Sequence, residues 1–329
     1  NCGNREFTKA NQFNLMFRTF FGPVEDEKSV VYLRPETAQG MFVNFKNVLD
    51  TTRKTLPFGI AQIGKAFRNE ITPGNFIFRT REFEQMEIEY FIPEPDPDNE
   101  ETWRKYFEEW QVEMMNWIRD IGLNSEKIAQ VEIPEGERAH YSKMTVDFEY
   151  QFPFGQKELY GLAYRTDFDL KNHEKNSGAN LKYKSPDREE AAYWPPVIEP
   201  TWGVDRTVLA VLLDAYYEDG DRVVLKIKPR LAPYKAAVFP LLANKPDLVS
   251  LAKKIYDDLR KNFMVAWDAR GNIGKRYYSQ DEIGTPYCIT VDFDSLEKGD
   301  VTVRDRDTAK QERIKISELS HFIAEKLKS

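Results

Sequence analysis

The sequence predicts an α+β fold in two domains, and three observations support this prediction. First, residues 66–91 form two strand-like segments joined by a turn. Second, apolar residues at helical spacing mark three segments around that hairpin, at 37–49, 101–121 and 205–217. Third, the chain beyond Gly220 alternates short strands with helices, which is typical of a small α/β domain with a mixed sheet. We therefore place a domain boundary there, between residues 1–220 and 221–329.

The central hairpin carries more charge than a buried strand pair requires. Its turn, Thr72-Pro73-Gly74-Asn75, is rich in turn-forming residues, and the second strand is predicted over 77–91. Because strand side chains alternate, the even spacings of Arg79, Phe83 and Glu87 place all three on one face. That face offers an arginine for phosphate, a ring for a base to stack on, and a carboxylate for an amino group.

The helical segments differ in what precedes and follows them. Residues 101–121 follow a proline-rich break and carry aromatic residues every three or four positions, which predicts a core-facing stripe. Residues 123–150 are predicted as an insertion that ends in a strand at 144–150. The polar residues 172–190 are predicted as a surface loop, and the apolar segment 205–217 as a helix.

The C-terminal domain is predicted as alternating elements. Its strands are expected at 236–242, 263–267, 287–293, 301–304 and 313–316, and its helices at 246–262 and 317–327, the second with Ser317 as N-cap. This alternation predicts a mixed sheet covered by helices.

Composition sets limits on the class of protein. The chain has 329 residues, is 41% hydrophobic and 31% charged, and contains no apolar run of membrane-spanning length. Two cysteines, Cys2 and Cys288, cannot form a disulfide framework, and neither belongs to a zinc-binding pattern. A reducing, cytoplasmic setting is therefore expected.

Charge is distributed unevenly along the chain. The net charge is −7, but residues 221–329 hold 21 basic and 16 acidic residues, which leaves −12 on residues 1–220 and +5 on the C-terminal part. This asymmetry is weak evidence for nucleic-acid binding, since many domains of that charge bind none.

Four motifs together resemble one family. Residues 67–70 (FRNE), a loop, and the RxxxFxxxE pattern of 79–87 resemble motif 2 of class II aminoacyl-tRNA synthetases. Residues 34–40 (RPETAQG), 157–173 (KELYGLAYRTDFDLKNH) and 199–206 (EPTWGVDR, similar to motif 3) narrow the resemblance to the homodimeric type of glycyl-tRNA synthetases. The resemblance implies a class II antiparallel sheet flanked by helices, a helical insertion at about 96–146, and an α/β anticodon-binding domain.

The resemblance also implies an activity. Members of this family join glycine to ATP, forming glycyl-adenylate and pyrophosphate, and transfer the glycyl group to tRNA(Gly). ATP as substrate, Mg²⁺, a cytoplasmic location and a homodimer of the full-length protein are implied with it. Bringing a carboxylate to an α-phosphate requires fixed positive charge, because both reactants are anions.

The resemblance assigns the nucleotide site. Arg68 is expected at the α-phosphate and the attacking carboxylate, Arg79 and Arg206 at the β- and γ-phosphates, Phe83 under the adenine and Glu70 near its amino group. Arg206 would also open an apolar helix, a position that favours phosphate. Arg68 and Arg206 are the residues expected to act in catalysis. The complete expected set is Arg68, Asn69, Glu70, Phe78, Arg79, Phe83, Glu158, Leu159, Gly203 and Arg206, with Glu158 as the expected Mg²⁺ ligand.

Glycine has no side chain to recognise, so its ammonium and carboxylate groups and the exclusion of larger amino acids must give specificity. A single methylene is worth only about 1–3 kcal/mol in a permissive pocket. The resemblance places Glu36, Glu87 and Glu199 around the ammonium, Arg165 at the carboxylate, and Thr201 beside the Cα. Thr201 stands where this family often has serine.

Two alternatives stay open from the sequence. Prolyl-, threonyl- and histidyl-tRNA synthetases share the three arginine positions and a similar C-terminal domain. A non-catalytic, synthetase-like accessory protein would keep the fold and bind nucleic acid, but the retained Arg68, Arg79 and Arg206 count against it. Motif 1, the helix and strand that form the family's dimer interface, is not recognisable, which predicts that N-terminal residues are missing and leaves dimerisation open.

Overall fold

The structure is a computed structural model that describes residues 13–96, 98–99, 101–185 and 191–328. Cys2, for which no metal site was expected, lies outside these residues. The chain divides into two compact units, one of residues 1–116 and 125–209 and one of residues 117–124 and 210–329. The predicted boundary at residue 220 and the predicted insertion at 96–146 stay predictions.

In chain order up to residue 215 the elements are β1 (Arg18–Phe20), β2 (Val30–Tyr32), α1 (Ala38–Thr52), β3 (Phe58–Phe67), β4 (Glu82–Phe91), α2 (Trp103–Asp120), β5 (Ile128–Glu132), β6 (Met144–Phe152), β7 (Gly155–Thr166), α3 (Phe168–Ser177), β8 (Val197–Gly203) and α4 (Val204–Ala215). Strands β1 and β2 form a small antiparallel pair of their own.

A six-stranded sheet forms the centre of the first unit, with strand order β3-β4-β8-β7-β6-β5. Every neighbouring pair in it is antiparallel. This confirms the predicted fold class. Strand β4 lies between β3 and β8, so its backbone is bonded on both sides and its side chains are fixed in direction.

The side chains on one face of β4 lie in the hydrophobic core at the end of the strand and in a polar cavity nearer its start. Its last residue, Phe91, is fully buried against Phe42 and Phe45 of α1 and against Phe58 of β3. Helix α1 therefore covers this end of the sheet, as apolar side chains at helical spacing require.

The structure corrects two predicted elements. Strand β4 begins at Glu82, not at residue 77, because residues 74–79 form a turn closed by backbone hydrogen bonds between Gly74 and Arg79, with positive φ angles at Asn75 and Phe76. Residues 168–177 form helix α3, so the first part of the loop predicted over 172–190 is wrong, and residues 186–190 of that prediction lie outside the described residues. The helix buries Leu170 and ends at the left-handed Gly178, and so few apolar positions do not predict a helix from the sequence.

From residue 216 onward the elements are β9 (Tyr216–Asp219), β10 (Arg222–Leu225), β11 (Ala236–Pro240), α5 (Pro246–Leu259), β12 (Val265–Trp267), α6 (Ile273–Glu282), β13 (Tyr287–Val291), α7 (Phe293–Lys298), β14 (Asp300–Asp305), β15 (Gln311–Lys315) and α8 (Leu319–Lys326). The sheet has the order β12-β11-β13-β14-β15 and is mixed, as predicted: β11 runs parallel to β12 and β13, and the other pairs are antiparallel.

Helix α5 buries Leu248, Ala252 and Ile255 in the core of this sheet. The closing helix α8 begins at Leu319 without a side-chain cap, so the predicted Ser317 N-cap is wrong; residues 316–318 instead form a short 3₁₀ turn. Among the described residues, no helix is long and apolar enough to cross a membrane.

Candidate active site

A cavity of about 460 Å³ opens on the six-stranded sheet of the first unit. Its volume lies within the range of small-ligand pockets. Of the fifteen residues predicted to bind ATP or glycine, all except Asn69 and Arg165 line it: Glu36, Arg68, Glu70, Phe78, Arg79, Phe83, Glu87, Glu158, Leu159, Glu199, Thr201, Gly203 and Arg206. Motifs far apart in the chain thus meet in one place.

Arg68 lies just beyond β3, where its backbone N–H donates to the carbonyl of Arg81. Its Nε donates to the carbonyl of Pro35 at 3.1 Å, and its guanidinium carbon lies 5.3 Å from the ring centroid of Phe83. Its other guanidinium nitrogens have no hydrogen-bond partner among the described residues, so they are available to a ligand. The neighbouring Asn69 does not line the cavity; its backbone N–H donates to the carbonyl of Leu15 at 2.7 Å.

Arg79 and Arg206 differ in how firmly they are held. Arg79 is exposed, and its side chain makes no hydrogen bond or ion pair with the described residues. Arg206, in the first turn of α4, donates from Nε to the carbonyl of Phe78 at 3.2 Å and lies 4.3 Å above that ring. Its Nη1 also bonds the carboxylate of Glu158 at 3.0 Å. The guanidinium of Arg206 is therefore held in place by its partners, whereas the side chain of Arg79 can change position.

Two carboxyl groups lie beside Arg206 in the cavity. Asp147 of β6 is half-buried, and burial together with the negative charge of Glu158 raises its pKa to about 7. The side chain of Glu158 is 51% exposed. A pair of carboxylates whose repulsion is only partly relieved by protein cations fits a divalent metal that prefers oxygen ligands.

The carboxylate of Glu87 is held by three donors. It accepts the backbone N–H of Thr37 at 3.1 Å, the hydroxyl of Thr37, and the hydroxyl of Thr201 at 3.3 Å. Burial raises the pKa of Glu87, and the Thr37 hydrogen bond acts in the opposite direction. Because Thr37 precedes α1, the start of that helix and strand β4 position this carboxylate together.

Arg165 does not reach the cavity, although it was expected to meet the carboxylate of glycine. Its guanidinium bonds both oxygens of Asp169, at 2.8 and 2.9 Å, and Glu199 at 2.8 Å. Burial alone would lower the pKa of Arg165, but Glu199 and Asp169 raise it, so it stays charged. Tyr141 stacks over this guanidinium at 3.9 Å. Arg165 therefore holds the carboxylate of Glu199 in place without lining the cavity itself.

Glu199 of β8 is the second buried acid that reaches the cavity. Burial raises its pKa, and the neighbouring Arg165 counteracts this only in part. The third, Glu36, is half-buried and accepts a hydrogen bond from Gln39 at 2.9 Å, which in turn bonds His173 at 2.7 Å. The three acids expected around an ammonium thus all line the cavity, and the negative charge of Glu36 acts on both Glu87 and Glu199.

Sequence reasoning missed several residues of the site. Thr37, Gln85, Tyr141 and Asp147 take part in it or line it without having been predicted. Thr37 had a signal, since it stands within the RPETAQG motif and directly before a helix. Tyr141 and Asp147 had none, because only the folded sheet brings them near the motif residues.

Comparison with known proteins gives one consistent result. Residues 21–216 match the family model of the tRNA synthetase class II core domain (G, H, P, S and T), and residues 235–326 match that of the anticodon binding domain. A glycine–tRNA ligase of Alkaliphilus oremlandii is 54% identical over 99% of this chain and 70% of its own length. Glycine–tRNA ligases of Geobacillus thermodenitrificans and Staphylococcus haemolyticus are 54% and 53% identical, each over 99% of this chain and 69% of their own length.

Proposed function

The chain belongs to the glycine–tRNA ligase family of class II aminoacyl-tRNA synthetases, and from this premise we propose how its residues perform the reaction. It activates glycine with ATP to glycyl-adenylate and transfers the glycyl group to tRNA(Gly). The observation that carries the assignment of roles is the meeting in one cavity of the three arginines predicted for ATP and the three glutamates predicted for the ammonium of glycine.

The activation step brings two anions together, and fixed cations lower its barrier. Arg68, whose Nε donates to Pro35, would bind the α-phosphate and the attacking carboxylate of glycine with its remaining nitrogens, which have no partner among the described residues. Phe83 lies beside it and provides a ring for the adenine. Arg206 and Arg79 line the same cavity and would hold the β- and γ-phosphates that leave as pyrophosphate.

Glu158 and Asp147 would hold a Mg²⁺ ion beside Arg206. When bound, the ion would neutralise phosphate charge and orient the leaving pyrophosphate. The hydrogen bond from Arg206 to Glu158 keeps this carboxylate in place.

Glycine would be recognised by its ammonium group. Glu87 and Glu199 reach the cavity from two adjacent strands and Glu36 from the segment before α1. Thr201, whose hydroxyl bonds Glu87, limits the space beside them. The carboxylate of glycine would meet Arg68, since Arg165 is already taken by Asp169 and Glu199.

The C-terminal unit carries the anticodon binding domain, and tRNA is its partner in the proposed reaction. We further propose that the full-length protein is a cytoplasmic homodimer. Strand β3 is the outermost strand of its sheet and exposes 70% of Ile63, and such an edge is a site for contact with another chain. Light scattering of the full-length protein at micromolar concentration would test the dimer.

Pyrophosphate exchange tests the proposed activity directly. Exchange between ATP and pyrophosphate is measured with glycine, alanine, serine, proline, threonine and histidine in turn, followed by charging of tRNA(Gly). Exchange with glycine alone is expected. Exchange with proline, threonine or histidine would favour another class II synthetase, and failure to bind ATP would favour a non-catalytic accessory protein.

A further inference from the structure

Glu89 is a buried acid that the proposed reaction does not use. It is completely buried on β4, two residues after Glu87, and it does not line the cavity. Neither of its carboxylate oxygens has a hydrogen-bond partner among the described residues. An unpaired buried carboxylate is costly, so this side chain calls for an explanation.

The register of the sheet places Glu89 against the glycine-binding acids. Glu87 pairs with Thr201 and Tyr90 pairs with Ile198, so the same register sets Glu89 opposite Glu199. Carboxylate oxygens of Glu87, Glu89 and Glu199 all lie within 4.8 Å of one another. Like charges directly opposite each other destabilise a strand pair.

The charges around Glu89 do not balance when all groups are ionised. Four buried carboxyl groups, Glu87, Glu89, Asp169 and Glu199, lie around the guanidinium of Arg165, and the part of the chain that the structure describes places no second buried cation among them. A net charge of this size in a water-poor interior is avoided by binding protons. Burial and the charge of Glu199 both raise the pKa of Glu89 well above its usual range, and the pKa of Glu199 is raised too.

We propose that glycine recognition is linked to a proton: in the empty pocket Glu89 and Glu199 share one proton, and the ammonium of glycine displaces it to solvent. This rests on the proposed function, since it assigns the ammonium to Glu87 and Glu199. No other bond is made or broken, and the released proton passes to the buffer. Glu89 is a positioning residue, because it acts through Glu199 and does not touch the substrate.

The linkage has a functional consequence. Expelling a proton costs less as pH rises, so glycine binds more tightly at pH 7.5 than at pH 6. A bulkier amino acid would hold its ammonium farther from the acids, so it would not displace the shared proton and would bind more weakly. The buried acid would thereby make the pocket sensitive to the position of the ammonium as well as to its presence.

Isothermal titration calorimetry measures the number of protons released when the ligand binds. A hydrolysis-resistant glycyl-adenylate analogue, with a sulfamoyl group in place of the phosphate, is titrated into the protein in buffers of different ionisation enthalpy at pH 6.5. At this pH the ligand enters as an ammonium, since α-amino groups titrate near about 7.7–8.0. The matched ligand is the hydroxyacetyl analogue, which has a hydroxyl in place of the ammonium.

We expect the glycyl analogue to release about one proton more than the hydroxyacetyl analogue. Glu89→Gln should abolish this difference, whereas Glu82→Gln, an exposed carboxylate on the same strand, should keep it. Equal proton counts for the two ligands in the unmutated protein would overturn the proposal without any variant, as would an unchanged count in Glu89→Gln. Failure of the glycyl analogue to bind would instead count against the proposed function.

Discussion

Replacing Thr37 by valine should selectively weaken glycine recognition. The hydroxyl of this buried residue donates to the carboxylate of Glu87 and does not cap helix α1, so the substitution removes one contact at nearly constant volume. A hydrogen bond to a charged group is worth about 1.5–3 kcal/mol. Since about 1.4 kcal/mol is a factor of ten, KM for glycine should rise roughly 10- to 150-fold.

The pH dependence of this variant has a defined sign. The Thr37 hydrogen bond lowers the pKa of Glu87, so its loss raises that pKa further above the usual range. The ionised carboxylate is the form that binds an ammonium, so the defect should be larger at pH 6 than at pH 8.

Pyrophosphate exchange at varied glycine and ATP concentrations measures both effects. Thr37→Ser keeps the hydroxyl and serves as the matched control. A KM for glycine within twofold of the unmutated protein, or equal losses in the serine and valine variants, would refute the reasoning. A rise in KM for ATP as large as that for glycine would show that the change spreads beyond the amino-acid end of the cavity.

Three further predictions concern other groups of the site. Arg79→Ala should raise KM for ATP while leaving the free energy of unfolding within about 0.5 kcal/mol, because this exposed side chain has no described partner; exchange kinetics and urea unfolding together check this. Arg165→Ala leaves the buried carboxylates of Asp169 and Glu199 without their cationic partner and should destabilise the protein by about 3–5 kcal/mol; a free energy of unfolding within about 1 kcal/mol of that of the unmutated protein would contradict this. The folded pKa of Asp147 is raised to about 7, so the folded state binds more protons than the unfolded state between pH 4 and 7. Stability should therefore fall with rising pH across that range and fall less steeply in Asp147→Asn, and identical slopes in urea unfolding at several pH values would show the inference to be wrong.

Much of the fold followed from local patterns. The central hairpin, helix α1 and the mixed C-terminal sheet were predicted because apolar spacing and turn residues agreed in those segments, whereas the antiparallel sheet was implied by the family resemblance. Helix α3 was missed because its surface is polar and only a short apolar contact holds it to the core. A helix held mainly by tertiary contacts leaves little trace in periodicity.

The site was less predictable than the fold. Alternation along β4 places Phe83 and Glu87 on one face in the structure, but Arg79 lies before the strand begins, so strand spacing does not account for its position. The pairing of Arg165 with Asp169 joins a strand to the following helix across a residue with positive φ, a geometry that spacing does not reveal. Charge partners of this kind depend on how the elements meet, and sequence gives no distance between them.

Because the acids lie on β4, activity with glycine depends on the correct pairing register between β3 and β4. Because side chains alternate, a slip of one residue would replace Glu87 and Glu89 with Met86 and Ile88 and turn both acids to the opposite face. Such a molecule could remain folded and still present an apolar floor where an ammonium must bind. Turnover with glycine therefore reports that the ten residue pairs between β3 and β4 are correctly aligned. Spectroscopic measures of sheet content do not distinguish the correct register from a shifted one.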